Sequence, residues 1–147
     1  MTDINHSEGR LVVGVDGSAS SNRALAWALA YAEELHLEVT AVHAWQYPYA
    51  YGSGATVPAA GDVAAAARRV LDDAVSKAAA EHPSVRVNRH LAEGHPARVL
   101  IEQSEDAHML IVGSRGHGAF VGALIGSVSQ YCVSHARCPV LVVREAD

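Results

Sequence analysis

Short apolar runs alternate with longer amphipathic segments along this chain. The runs have the length and composition of β-strands and lie at residues 10–15, 38–44, 84–91, 108–113 and 139–143. Most of them are continuously apolar, as in parallel strands that are buried on both faces. The run 84–91 instead alternates apolar with polar positions, so we expect a half-exposed strand at the rim of the sheet.

Between these runs, apolar residues recur at three- and four-residue spacing, which predicts amphipathic helices. The first helix follows Ser18 or Ser20, either of which is a suitable N-cap. Its apolar stripe is expected to consist of Leu25, Ala28, Leu29, Ala32 and Leu35. A second helix is expected to begin at Asp62, a short third helix at Pro96, and a fourth helix over residues 126–136.

The alternation of strands and helices predicts the fold class, which is α/β: an open, doubly wound, mainly parallel sheet with helices on both faces. A length of 147 residues, half of them apolar, suits a single buried core. We therefore expect residues 1–147 to form one domain. The Tyr-, Pro- and Gly-rich stretch 45–61 interrupts the periodicity, and there we favour a flexible loop over a lid on a binding site.

The composition argues against several classes of partner. The net charge is −5, and Lys77 is the only lysine beside ten scattered arginines, so no basic patch for nucleic acid is expected. No apolar stretch approaches the roughly 20 residues of a membrane span. The first ten residues carry acidic side chains and lack a secretory pattern. We therefore expect a cytoplasmic protein with no nucleic-acid or membrane partner.

Neither the cysteines nor the histidines form a recognisable disulfide or metal pattern. Cys132 and Cys138 are too few for a disulfide framework, and we interpret both as small buried residues. None of the nine histidines has a partner at the spacing that zinc sites favour, so no metal site is predicted. His117, in a glycine-rich loop, is placed to contact a phosphate, which would make binding sensitive to pH.

Two segments that follow strands carry the candidate chemistry. Asp16-Gly17-Ser18 follows the first strand, and residues 113–129 follow the fourth. In open parallel sheets, ligands bind beyond the carboxyl ends of the strands, at the point where the strand order reverses. The second segment is rich in glycine and contains Gly113, Gly116, Gly118, Gly122 and Gly126.

Glycine-rich backbone followed by the start of a helix is typical of a phosphate site. Glycine allows close approach of the main chain, and a helix start offers unpaired N–H groups and positive dipole character. The hydroxyls of Ser127 and Ser129 are candidate donors to the same oxygens, and Arg115 would neutralise the remaining charge. A Walker P-loop is excluded because Ser127, not lysine, follows Gly126. The dinucleotide fingerprint is absent after the first strand.

The spacing of Gly113, Gly116 and Gly126-Ser127, with two and then nine intervening residues, resembles the nucleotide loop of the universal stress protein family. The likeness spans the whole chain and also includes Asp16 after the first strand, His43 near the end of the second, GSVS at 126–129 and the closing strand with residues 138–143. The resemblance implies a five-stranded sheet of order 3-2-1-4-5 and a dimer. It also implies binding of ATP, which members with this glycine pattern typically bind.

Carried over by position, the resemblance implies twelve site residues. The carboxylate of Asp16, with the backbone of Gly14 and Val15, would lie at the base and ribose. The backbone of Ala44 would face the adenine. The residues along the ribose and phosphates would be Val112, Gly113, Arg115 and Gly116. The residues that cradle the phosphates at the helix start would be Gly126, Ser127, Val128 and Ser129.

The first functional hypothesis is a regulatory, stress-response binding module that depends on ATP, with Mg²⁺ held by the phosphates. It would form a homodimer through the last strand, which would offer an exposed apolar edge to a second copy. The alternatives are a cyclic AMP binder, a slow ATPase or nucleotidyl-transfer enzyme that uses the same cleft, and a structural dimer that has lost its ligand. Near the expected phosphates, Arg115 is present but no general base is evident, so we expect slow turnover or none.

Overall fold

The computed structural model of the protein describes residues 9–47, 58–116 and 125–144. The strands are β1 (Arg10–Gly14), β2 (Glu38–Trp45), β3 (Val87–Glu93), β4 (Met109–Gly113) and β5 (Val140–Val143). The helices are α1 (Ala19–Leu35), α2 (Ala60–Ala79), α3 (Pro96–Gln103) and α4 (Ser127–His135). Strands and helices therefore alternate through the described ranges, as the sequence pattern predicts.

All five strands are parallel and lie in the order β3-β2-β1-β4-β5, which confirms the predicted fold class. β3 occupies one rim of the sheet, as its alternating pattern predicts. The chain moves outward from β1 to β2 and β3, and then returns to the other side of β1 with β4 and β5. The strand order therefore reverses between β1 and β4, which in this fold class is the expected position of a ligand cleft.

Two apolar clusters lie on opposite faces of the sheet. Leu11 and Val13 of β1 pack with α1 and α2, whereas Val12 between them packs with α3 and α4. Successive side chains of a strand point to opposite faces, so a continuously apolar strand supplies both clusters. Burial of one leucine or valine side chain stabilises the fold by about 1.5–3 kcal/mol, which explains why the buried positions of β1 and β4 are all apolar between their ends.

The start of α1 matches one of its two predicted caps. Ser18 is the N-cap, and its Oγ accepts a hydrogen bond from the Ser21 amide at 3.2 Å. Of the predicted apolar stripe, four residues are buried, but Leu35 is 45% exposed. Leu35 is the last residue of the helix, and the chain turns away at His36 in the left-handed region at φ 57°. The prediction that Leu35 packs in the core was therefore wrong.

The largest differences between predicted and observed boundaries are at β3 and at the start of α2. β3 begins at Val87 rather than at Ser84, because the Val85 amide bonds to the His82 carbonyl at 3.1 Å and holds the intervening residues in a turn. α2 begins at Ala60, so the predicted loop 45–61 is shorter at this end, and its first residue belongs to β2. Residues 48–57 of that stretch lie outside the described part of the chain.

The two cysteines differ in their surroundings. Cys132 is fully buried on α4, as predicted, whereas Cys138 is only partly buried, contrary to the prediction. Burial, with a smaller contribution from Cys138, raises the pKa of the Cys132 thiol to about 11.

Among the helices of the described ranges, none combines the length and apolar character that a membrane crossing requires.

Candidate functional site

A cavity of about 550 Å³ opens at the carboxyl ends of β1 and β4, where the strand order reverses. Its volume is in the range of small-molecule sites. The structure brings all twelve predicted site residues together around this cavity: Gly14, Val15, Asp16, Ala44, Val112, Gly113, Arg115, Gly116, Gly126, Ser127, Val128 and Ser129.

Seven further residues line the same cavity, and sequence reasoning did not include them among the twelve. They are Ser21, Val42, His43, Pro96, Leu100, Ile125 and Gln130. The sequence could have pointed to two of these residues, because they are next to the predicted site residue Ala44 on β2. Val42 lies two positions before Ala44, on the same face of the strand, and His43 lies between them. Pro96 and Leu100 come from α3, and only the packing of that helix over the end of β1 places them here.

A tight turn after β1 orients the carboxylate of Asp16. Its Oδ1 accepts a hydrogen bond from the Ser18 amide at 2.9 Å, and the Asp16 amide donates to Ser21 Oγ at 3.2 Å. Between them, Gly17 has φ 81°, a conformation that glycine adopts without strain. This local network is an Asx turn, and it fixes the aspartate at the mouth of the cavity.

The loop after β4 approaches the Asp16 carboxylate closely because residue 116 is glycine. A Cβ atom at Gly116 would lie 2.5 Å from Asp16 Oδ2, a distance that real Cβ atoms essentially never adopt. The two predicted loops therefore meet across the switch point, as expected. Gly116 allows this approach through the absence of a side chain.

Gly113, in contrast, is required by the packing of α1. A Cβ atom at this position would lie 2.5 Å from Ser20 Oγ and 2.7 Å from the Ser20 carbonyl carbon. Ser20 is fully buried, and its Oγ also accepts a hydrogen bond from the Arg115 amide at 3.2 Å. The first turn of α1 thus lies directly on the end of β4, and the glycine at 113 accommodates it.

The first turn of α4 borders the cavity, but not all of its predicted donors are available. Gly126 is the N-cap, and its amide donates to the Ser114 carbonyl at 2.5 Å. Ser129 Oγ donates to the Gly113 carbonyl at 2.5 Å, so this hydroxyl holds α4 against β4. The Gly126 amide and the Ser129 hydroxyl, which was a candidate donor to a phosphate, thus both bond within the protein. The amides of residues 127–129 remain as first-turn donors, together with the exposed side chain of Ser127.

The charged groups around the cavity are few. Of the lining residues that the structure describes, Arg115 alone has a permanent positive charge and Asp16 alone is a carboxylate. Within the same described ranges, no three His, Cys, Asp or Glu side chains come together in a way that could hold a metal ion. The prediction for His117 falls outside the described residues, as do Gly118 and Gly122 of the glycine-rich segment.

The parallel sheet with order 3-2-1-4-5 and the cavity at its switch point define a doubly wound α/β domain with one side of the cleft built from main-chain groups. The model of the universal stress protein family matches residues 9–144. The chain therefore belongs to the universal stress protein family, which confirms the resemblance.

Relatives in mycobacteria support the same assignment. The chain is 36% identical over 137 residues to a universal stress protein of Mycobacterium tuberculosis, a match that covers 92% of this chain and 45% of that protein. A universal stress protein of Mycobacterium bovis is 34% identical over 140 residues, with 92% and 45% covered. The chain thus spans about half the length of these relatives.

Solved structures of the family have the same fold. Universal stress protein UspA from Lactobacillus plantarum superposes with a TM-score of 0.77 at 22% identity, and 92% of this chain and 97% of that chain are covered. A universal stress protein in complex with cAMP superposes with a TM-score of 0.71 at 25% identity, with 95% and 99% covered.

Proposed function

We propose that the protein binds an adenine nucleotide in this cavity, with ATP as the first candidate, and acts as a nucleotide-dependent regulatory module in a stress response. One observation carries the proposal. The cavity connects an open main-chain donor and acceptor at Ala44 with the first turn of α4, so one elongated molecule with a base at one end and an anion at the other would contact both.

The direction of the Ala44 backbone follows from the hydrogen bonds of β2. In a parallel strand, alternate residues direct their N–H and C=O groups to opposite neighbours. The Trp45 carbonyl accepts from the Gly94 amide on the β3 side at 2.8 Å, and the Val42 carbonyl accepts from the Val15 amide on the β1 side at 2.8 Å. Ala44 therefore faces the β1 side, where the pairing of β1 with β2 has ended at Val42.

An exposed N–H beside an exposed C=O matches the edge of adenine. Adenine offers N1 as an acceptor and its N6 amino group as a donor, whereas guanine in the same pose presents a donor and an acceptor in the reverse order. Apolar side chains around this end of the cavity would contact the faces of the base; among them are Val42, Pro96 and Leu100.

The other end of the cavity suits a phosphate chain. The amides of residues 127–129 lie at the positive end of the α4 dipole, and Arg115 adds a full positive charge. The carboxylate of Asp16 is placed to accept from ribose hydroxyls. Because Asp16 is the one carboxylate among the described lining residues, a Mg²⁺ ion would be held mainly by the phosphates.

Cyclic AMP is the second candidate ligand, because a family structure with 25% identity was solved in complex with cAMP. We favour ATP because three first-turn amides and Arg115 offer more donors than one cyclic phosphate uses.

Hydrolysis of ATP would require a positioned base near the phosphates. The imidazole Nδ1 of His43 and the carboxylate of Asp16 are already hydrogen-bonded at the ends of β2 and β1, so a slow ATPase or nucleotidyl transferase is the less favoured alternative.

We further propose a homodimer, formed through β5, that acts in the cytoplasm. β5 lies at the rim of the sheet opposite β3, and its four residues are all partly exposed. The net charge of −5 argues against nucleic acid as a partner.

Mass spectrometry of the small molecules released from the purified, denatured protein tests the ligand directly. Isothermal titration of the nucleotide-free protein with ATP, AMP, cAMP and GTP then ranks the candidates. We expect ATP to bind most tightly and GTP at least tenfold more weakly, since a base with mismatched donors leaves polar groups unpaired. Equal affinity for ATP and GTP would contradict the proposed role of Ala44.

Single-turnover measurement with labelled ATP separates binding from catalysis, because product formed within minutes would favour the enzyme.

A further inference from the structure

Within the described ranges, the hydrogen-bond ladder between β1 and β2 ends with the Val15 amide, which donates to the Val42 carbonyl at 2.8 Å. The register of the two strands would allow one further bond, from the Ala44 amide. At the other end of this ladder, Glu38 is paired with Arg10, and the Glu38 amide donates to the carbonyl of the preceding residue, Gly9, at 3.2 Å. Every second amide of β2 faces β1, and the same offset assigns a carbonyl partner to each of these amides. For the Ala44 amide, that partner is the Val15 carbonyl.

The imidazole of His43 holds this carbonyl instead. His43 Nδ1 lies 2.7 Å from Val15 O. A carbonyl oxygen can only accept, so Nδ1 carries the proton and donates. At 2.7 Å this bond is at the short end of the range for N–H to oxygen contacts. The side chain of His43 thus takes the position that the next rung of the ladder would occupy.

We propose that His43 is a positioning residue for base recognition: its ring N–H bonds to the carbonyl of Val15 directly after β1, ends the ladder, and so leaves the Ala44 amide available to the purine. This inference rests on the proposed nucleotide site and adds a side chain that determines its selectivity. Without the imidazole donor, the Val15 carbonyl would be free to accept from Ala44, and β1 and β2 would pair for one more step. The donor that reads the base would then be consumed within the sheet.

Two variants separate the ring N–H from the bulk of the side chain. His43→Asn keeps a side-chain N–H donor close to the position of Nδ1, whereas His43→Leu removes the donor and retains an apolar side chain. We expect His43→Leu to lower the affinity for ATP about tenfold and to reduce the preference for ATP over GTP, as expected when one hydrogen bond to the base is lost. His43→Asn should stay within about threefold of the unmodified protein.

Inorganic tripolyphosphate serves as the control ligand, because it contacts the phosphate end of the cavity and not Ala44. Its affinity should be equal in all three proteins. Equal losses of ATP affinity in both variants, or a parallel loss of tripolyphosphate affinity in His43→Leu, would overturn the proposal, because either result indicates a general structural role.

A second measurement needs no ligand and therefore stands apart from the proposed function. Hydrogen exchange followed by NMR reports whether the Ala44 amide is bonded. We expect fast exchange in the unmodified protein and in His43→Asn, and slower exchange in His43→Leu, where Val15 accepts the bond. Slow exchange in the unmodified protein, or no change in His43→Leu, would refute the role of His43. Failure of the unmodified protein to bind any adenine nucleotide would instead refute the proposed function, and the exchange rates would still decide the role of His43 in the ladder.

Discussion

At the scale of single residues, the glycines of the cavity have different reasons to be glycine. Gly113 makes room for the first turn of α1, Gly116 makes room for the Asp16 carboxylate, and Gly126 has ordinary space around it, with no atom closer than 3.5 Å to a built Cβ. The glycine motif that resembles a nucleotide loop thus also serves the packing of α1 at Gly113 and the contact with Asp16 at Gly116. These requirements can be separated by substitution.

Gly113→Ala is expected to destabilise the protein by about 1–3 kcal/mol, because the new methyl group collides with Ser20, including its main chain, which cannot move without shifting α1. Gly126→Ala is the matched control. At φ −73° alanine is unstrained but is a poorer N-cap than glycine, so this variant should lose less than about 1 kcal/mol. Urea unfolding of both variants measures the difference. Equal stability of the two variants would show that α1 does not press on Gly113 as described.

A larger side chain at Gly126 tests the anion end of the cavity. Gly126→Leu should lower ATP affinity at least tenfold while circular dichroism stays unchanged, because the side chain starts beside Arg115 and Gly116 and would compete with the phosphates for space. Titration of the folded variant with ATP provides the measurement. Affinity that survives this change would place the phosphates elsewhere.

The cysteines give a prediction from protonation. The raised pKa of about 11 means that almost no Cys132 thiolate exists at pH 8, and the side chain is also fully buried. Iodoacetamide should therefore modify Cys138 well before Cys132 in the native protein. Peptide mass spectrometry over time resolves the two sites. After denaturation both should react at similar rates, which supplies the internal control.

At the scale of elements, periodicity predicted the type and order of every strand and helix in the described ranges, because the core residues of each repeat at the period of its own element. What it did not predict depends on contacts between distant segments. The turn that delays β3 needs the bond from Val85 to His82, and the engagement of the Ser129 hydroxyl needs the Gly113 carbonyl. Likewise, the bond from His43 to Val15 exists only because β1 and β2 are in a particular register. The resemblance, through its motif spacing, predicted twelve residues that line the cavity, while the contact that each of them makes depends on packing.

An ion pair joins the start of β1 to the turn after α3. Arg10 donates to the Asp106 carboxylate at 2.6 Å and to the Gln103 carbonyl at 2.7 Å. The hydrogen bond and the charge of Arg10 lower the pKa of the Asp106 carboxyl below its ordinary value of 3.8. A depressed pKa in the folded state contributes stability at pH values above the unfolded pKa, and this contribution is lost as the pH falls through the folded value.

Asp106→Asn should therefore reduce the free energy of unfolding at pH 7 by less than about 1 kcal/mol, since the pair is largely exposed. The difference between variant and unmodified protein should shrink as the pH is lowered below 3.8. Urea titrations at pH 7 and at acidic pH, with and without 1 M salt, provide the test. A difference that is independent of pH would mean that the charge of Asp106 is not involved.

At the scale of the whole molecule, the rim strand β5 is the surface through which the proposed dimer would form. The Leu110 amide donates to the Pro139 carbonyl and the Ser114 amide to the Val143 carbonyl, so these residues and Leu141 between them face β4. By the alternation of a parallel strand, Val140 and Val142 direct their N–H and C=O groups to the open edge. That edge is a template for pairing with a second copy, which symmetry would make antiparallel.

Val142→Pro removes one outward N–H while the bonds from β4 to Pro139 and Val143 are kept. We expect this variant to sediment as a monomer of 15.5 kDa, with the unmodified protein at twice that mass. Leu141→Pro is the matched control, because its N–H faces β4, so this change should unfold the rim of the sheet instead of only separating subunits. Pairing across β5 would be weakened by the loss of the Val142 N–H. If Val142→Pro kept its fold and dimerised as tightly as the unmodified protein, the subunits would therefore associate through another surface.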